Sequence, residues 1–298
     1  MSETEVAPKL LLHFDDEADL AHRLATALGW PCAEIACHCF PDGELKLTLP
    51  PLLPTRTVLL RGLQQPNQKL VQLMLGAPAA RELGAHHLTL VSPYLAYMRQ
   101  DIAFNPGEAV SQRHLGHALA GWFDTVVTID PHLHRIATLD EALPGRKGIA
   151  LSAAAAIGSW VAAQVHQPLL LAPDEEGGQW VRAAAQAGGL DHGVCHKERR
   201  GDREVAVQLP EIELRGRHVV LVDDVASTGR TLIEAATAAL RAGAASVDAA
   251  VTHALFDDAA AAQMAAAGIG RVWSSDSVPH PSNAISVVAL LAAALRAD

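Results

Sequence analysis

Val219-Val-Leu-Val-Asp-Asp-Val-Ala-Ser-Thr-Gly-Arg-Thr231 decides how the rest of the chain is read. Its apolar run ends in two carboxylates, a short Ser/Thr/Gly loop follows, and an alanine-rich helical pattern begins at Leu232. Such a run predicts a buried parallel strand that delivers a polar loop and a helix N-terminus to one edge of a sheet. The loop's backbone N–H groups, with Ser227, Thr228 and Thr231, can surround a phosphate, and the positive end of the helix adds to the attraction. Asp223 and Asp224 would repel that phosphate. Two adjacent ribose hydroxyls suit them better, because a carboxylate accepts hydrogen bonds from both.

Working outward, strand-like runs alternate with helical patterns almost from end to end. Strands are expected at Leu10–Phe14, Val58–Leu60, His87–Ser92, Thr125–Ile129, Pro168–Ala172, His218–Val222 and Ser246–Thr252. Helices are expected between most of them, among others Asp19–Leu28, Lys69–Leu83 and Ile233–Ala242. The alternation predicts an α/β fold with parallel sheets covered on both faces. Pro144-Gly-Arg-Lys-Gly148 interrupts the pattern, so the expected division is an N-terminal unit over 1–148 and a C-terminal unit over 149–284. The apolar stretch at 285–298 is expected to return and pack on the first unit.

With 298 residues the chain can bury two cores. Half of the residues are hydrophobic, yet no apolar run is long enough for a membrane span. The acidic start, Met-Ser-Glu-Thr-Glu, lacks the basic and apolar regions of a secretory signal, and a cytoplasmic location is the expectation. A net charge of −10 with no local basic stripe argues against nucleic acid as a partner. Four cysteines in a chain this long do not make a disulfide scaffold. Cys32, Cys37 and Cys39 gather around His38, a composition compatible with a metal site; the plainer reading puts Cys37 and Cys39 on one face of a strand as small hydrophobes.

Several expected strands end in polar clusters, the place where open parallel sheets take ligands. Asp174-Glu-Glu-Gly-Gly178 forms a second strand–loop–helix, and acids beside a phosphate loop make sense when a cation is present. Magnesium fits, since it takes few carboxylates and keeps water and phosphate oxygens. Asp130-Pro-His132-Leu-His134 follows another strand. His132 could take a phosphate or a metal with Asp130 holding its imidazole, although a His-x-His pair also occurs in zinc-dependent hydrolases. Pro93 to Asp101 offers Tyr94, Tyr97 and Arg99 to a flat base and its phosphates, or to loop packing. Phe40-Pro-Asp42-Gly-Glu44 reads as a tight turn. Between Gly193 and Gln208 the dense run His196-Lys197-Glu-Arg199-Arg200 reads as a solvated loop, or as a cationic lid over a triphosphate.

In this order the segments resemble the ribose-phosphate diphosphokinase (phosphoribosyl diphosphate, PRPP, synthetase) family over most of the chain. Arg99-Gln100-Asp101 followed by Phe104-Asn-Pro-Gly-Glu108 is the discriminating pair. The resemblance implies two doubly wound parallel-sheet domains of the phosphoribosyltransferase type I kind. It implies transfer of the β,γ-diphosphoryl group of ATP to ribose 5-phosphate, with Mg2+. By motif position Phe40, Asp42, Glu44, Arg99 and Gln100 would meet ATP, and His132 and Asp174 would place metal and phosphates. Lys197 and Arg199, with His132, would be catalytic; Asp223, Asp224, Ser227, Thr228, Gly229 and Thr231 would hold the sugar phosphate. The turn at Phe40–Glu44 would reach a neighbouring subunit's ATP, implying a homo-oligomer. Pro131, Glu175-Glu176, Glu198 and Arg230 depart from the common pattern and mark a divergent branch. A silent regulatory homologue and a salvage phosphoribosyltransferase are the competing readings.

Overall fold

The computed structural model describes residues 9–133, 135–200 and 204–298, the side chains of 197–200 and 204–206 excepted. The chain forms two compact units, Met1–Leu151 with Val288–Asp298, and Ser152–Val287.

In the first unit the order is β1 (Lys9–His13), α1 (Ala18–Leu28), β2 (Cys32–Glu34), β3 (Ala36–Cys39), β4 (Leu45–Thr48), β5 (Arg56–Leu60), α2 (Pro66–Glu82), β6 (His87–Ser92), α3 (Ser111–Trp122), β7 (Thr125–Ile129) and β8 (Lys147–Leu151). Six strands make one parallel sheet in the order β2-β1-β5-β6-β7-β8. The central strands β5, β6 and β7 are mostly apolar and almost wholly buried, as strands covered by helices on both faces are. Leu12, Leu59, Leu88, Leu90 and Val126 of the sheet meet Leu73, Leu119 and Phe123 in one core. β3 and β4 leave the sheet as an antiparallel hairpin, with Cys37 opposite Leu47 and Cys39 opposite Leu45.

The second unit holds α4 (Ala154–Gln164), β9 (Leu169–Ala172), α5 (Gly178–Gly188), β10 (Asp191–Val194), β11 (His196–Arg200), β12 (Glu204–Gln208), β13 (His218–Ala226), α6 (Arg230–Arg241), β14 (Ser246–Ala254), α7 (Asp258–Ala266), β15 (Ile269–Ser275) and β16 (Asn283–Ile285). Its parallel sheet runs β10-β9-β13-β14-β15-β16. Leu171, Leu221, Val247 and Val251 pack with Leu232, Ala235 and Met264. α4 and α5 approach so closely that a Cβ at Gly158 would overlap the Ala184 carbonyl. The final helix, α8 (Val288–Ala297), belongs to the first unit and packs on α1.

Both sheets are doubly wound, as the sequence pattern predicted. Each has one point where the chain turns from building on one side to building on the other, between β1 and β5 and between β9 and β13. Two local expectations need correction. Between Gly193 and Gln208 the described residues are no solvated loop: they form the end of β10 and an antiparallel ribbon, β11–β12, with Lys197 opposite Val207 and Arg199 opposite Val205, while residues 201–203 lie outside the described residues. A ladder satisfies backbone groups that a loop would leave to water, and the charge density concealed the alternation of Val205 and Val207. The strand expected to stop at Val222 continues to Ala226, because Asp223, Val225 and Ala226 keep pairing with Val251, His253 and Ala254 of β14.

Candidate functional site

The second unit concentrates its polar chemistry at the switch between β9 and β13. Pro173 and Asp174 leave β9, and Asp223 and Asp224 lie near the C-terminal end of β13. Asp174 and Asp224 are 8% and 5% exposed, and the main-chain N–H of Gly177 donates to Asp174 Oδ1 at 3.3 Å. Burial pushes the Asp223 carboxyl well above the usual carboxylate range, and the neighbouring charges of Asp224 and Asp174 push it further. Asp223 thus stands under the negative charge of both other carboxylates, a repulsion that a hard cation bound at Asp174 would relieve. Cys195 links β10 to the ribbon; burial, then the charge of Asp174, pushes its thiol up to about 12.

After β13 the chain turns through Ser227 and Thr228 to Gly229, whose φ of +70° starts α6. A Cβ there would also meet Met264 Cγ at 2.8 Å, so glycine is required twice over. Gly229 supplies no side-chain cap to the helix, and Thr231 sits in its first turn. The loop therefore presents backbone donors at a helix start, the arrangement that takes a phosphate. Glu175, in the acidic loop, pairs with His196 Nδ1 at 2.9 Å and so ties that loop to the root of the β11–β12 ribbon. The side chains of Lys197 and Arg199 lie outside the described residues, as does His134.

In the first unit, Arg99 and Gln100 follow β6 and His132 follows β7, two strands paired side by side. Asp101, 7% exposed, accepts from Arg135 at 2.7 Å and so joins the two loops. Gln100 donates to the Ile102 carbonyl at 3.0 Å. Glu108 gathers the Phe-x-Pro-Gly-Glu segment around itself, accepting from the Phe104 N–H at 2.8 Å and from Asn105 at 2.6 Å. Asp130 and Tyr97 adopt left-handed backbone at φ +37° and +62°. Such conformations in non-glycine residues concentrate at functional sites. Phe40, Asp42 and Glu44 occupy the tip of the β3–β4 hairpin, where Phe40 is 40% exposed and the Phe40 N–H donates to the Glu44 carbonyl at 2.8 Å. This hairpin is a separate two-stranded sheet.

The switch point of the first unit holds what sequence reading missed. Glu17, behind β1, and Arg61, behind β5, form a network with buried Lys69 and Gln72 that is closed at the surface by the exposed Asp16. Glu17 accepts from the Gly62 N–H, and burial lifts its carboxyl to about 7 against the pull of Arg61 and Lys69. These residues are scattered from 16 to 72 with no shared spacing, so only the sheet order could reveal them. The cysteine cluster is also redistributed: Cys37 and Cys39 are exposed on the hairpin rather than buried, while Cys32 lies elsewhere on β2.

A doubly wound sheet with paired carboxylates and a Ser/Thr/Gly turn at its switch point defines a domain of the phosphoribosyltransferase class. Residues 143–272 match the phosphoribosyl transferase domain family, and residues 10–121 match the N-terminal domain of ribose phosphate pyrophosphokinase. The chain is 34% identical over 291 residues to a ribose-phosphate pyrophosphokinase of Methanopyrus kandleri, covering 96% of this chain and 98% of that protein. It is 30% identical to one of Halobacterium salinarum, covering 96% and 100%. A solved phosphoribosylpyrophosphate synthetase from Mycobacterium smegmatis has the same fold, with a TM-score of 0.83 over 97% of this chain and 98% of that one at 22% identity. The chain belongs to the ribose-phosphate pyrophosphokinase family.

Proposed function

We propose that this protein transfers the β,γ-diphosphoryl group of ATP to the anomeric hydroxyl of ribose 5-phosphate. The anomeric oxygen bonds to the β-phosphorus as the bond from that phosphorus to the α,β-bridging oxygen breaks, so the products are PRPP and AMP. The observation that carries the reading is the joint presence of both family domains along nearly the whole of relatives that bear this activity in their names. A salvage phosphoribosyltransferase would need only the second.

In the second unit, Asp223 and Asp224 take the ribose hydroxyls, and Ser227, Thr228, Gly229 and Thr231 take the 5-phosphate. In the first, Arg99 and Gln100 take ATP, joined by Phe40, Asp42 and Glu44 from the hairpin tip of a neighbouring copy. The exposed aromatic on a free-standing hairpin supports that homo-oligomeric assignment. His132 and Asp174, each in its own unit, are assigned to Mg2+ and phosphate oxygens. Mg2+ supplies charge neutralisation on the diphosphoryl group when bound. Lys197 and Arg199 add fixed positive charge for the transferring group, and the chain's contribution is otherwise positioning. No described helix is long and apolar enough to cross a membrane, and a cytoplasmic setting suits an enzyme drawing on ATP.

Phosphorus NMR of the protein with ATP, Mg2+ and ribose 5-phosphate tests the reading. PRPP and AMP in equal amounts are expected. ADP would overturn the reaction, and bound but unchanged ATP would favour the regulatory homologue.

A further inference from the structure

Three residues from consecutive elements meet at the edge of the first unit's sheet. His13 ends β1, His22 lies in the middle of α1, and Cys32 opens the edge strand β2. Cys32 is in register with Leu11, two residues before His13, so pleating places His13 and Cys32 on one face of neighbouring strands. The rings of His13 and His22 meet edge to face with centroids 5.3 Å apart. One ligand atom from each of the three residues lies within 4.8 Å of the other two.

The details suit a metal better than packing alone. His13 is 3% exposed, and its Nδ1 donates to the Phe14 carbonyl at 2.9 Å. That bond fixes the tautomer and leaves Nε2 as the lone-pair nitrogen, the outer support that metal-binding histidines ordinarily have. Two imidazoles and one thiol contain no oxygen donor, so magnesium and calcium are poor matches, while zinc-like cations accept this set. Tetrahedral zinc would want these atoms about 3.3–3.7 Å apart. His22 is exposed and free to turn its ring by the remaining ångström.

The geometry points to a binding site for a zinc-class divalent cation formed by His13, His22 and Cys32, with a fourth position open to water. It is separate from His132 and Asp174 and takes a different class of metal. Its structural consequence is a clip that fastens α1 to the edge strand β2, which leads within two residues into the β3–β4 hairpin.

Cobalt(II) is the probe, added to the reduced, chelator-stripped full-length protein with excess Mg2+ occupying the oxygen-donor sites. The expected result is one cobalt per chain with a near-ultraviolet thiolate-to-cobalt band and strong visible bands of four-coordinate geometry, all displaced by zinc. Loss of an outer-shell partner alone costs about 10–100-fold in affinity, so Cys32→Ser and His22→Ala should each cost at least about 100-fold. Cys32→Ser should also abolish the near-ultraviolet band, whereas the Cys37→Ser/Cys39→Ser double variant should keep it. Absence of the band in the unaltered protein overturns the site, as does its persistence in Cys32→Ser or unchanged affinity in His22→Ala. Zinc should also raise the melting temperature of the unaltered protein and not that of His22→Ala, and equal rises would count against the clip.

Discussion

Asp224 is held almost out of water, and its charge bears on the neighbouring carboxyl of Asp223. Asp224→Asn keeps the shape and removes one charge. Calorimetric titration should show ribose 5-phosphate binding weakened about tenfold, the worth of one charge-assisted hydrogen bond. The melting temperature should hold or rise, because repulsion on Asp223 falls. Undiminished sugar-phosphate affinity would remove Asp224 from the site. Cys195 makes the opposite case of a conspicuous residue that is inert. With its thiol pushed up to about 12 by burial, it carries almost no thiolate at pH 8. Peptide mapping after brief iodoacetamide treatment of the folded protein should find Cys37 and Cys39 alkylated and Cys195 spared. Labelling of Cys195 at the rate of Cys37 would contradict that burial.

Among the elements, the loops behind β1 and β5 carry the clearest pH signature. Burial raises the Glu17 carboxyl from an ordinary 4.5 to about 7, so between these values the native chain keeps a proton that the unfolded chain gives up. The stability this contributes is complete below pH 4.5 and is lost as pH climbs to about 7. The difference amounts to about 3 kcal/mol at most. Glu17→Gln should lack this loss: urea unfolding at pH 5 and pH 8 should show the natural chain falling relative to the variant. Parallel behaviour of the two would mean that Arg61 and Lys69 fully offset the burial. Legibility at this scale follows from periodicity. β6 and β7 were readable residue for residue, because both are apolar runs with turn signals at each end. The ribbon β11–β12 was not, since its charged sequence has the composition of a loop while its pairing depends on a partner strand. Glu17 and Arg61 belong to no sequence motif, because nothing in their neighbourhoods signals that the sheet order will bury them.

For the molecule as a whole, the chain's last residues complete its first unit. Leu291 and Leu295 of α8 are fully buried, Lys9 donates to the Leu295 carbonyl at 3.3 Å, and Lys147 reaches Asp298 at 2.8 Å. Removing residues 288–298 would strip two leucines from that core, at a cost of at least about 3 kcal/mol. Calorimetry should then show the first unit melting earlier while the transition of the second stays in place. An unchanged thermogram would mean that α8 only decorates the surface.

The sequence by itself determined the strand–helix alternation, and with it two doubly wound sheets, because apolar periodicity and loop composition are local properties of the chain. It also determined the order of motifs that ties the chain to its family, since each motif is a contiguous string. Only the tertiary structure decided which side chains share a site. The convergence of Asp174 with Asp223 and Asp224, the burial of Glu17 with Arg61, and the meeting of His13, His22 and Cys32 all depend on strand order and register. Those are set by how whole elements pack on one another, and no residue-level pattern records them.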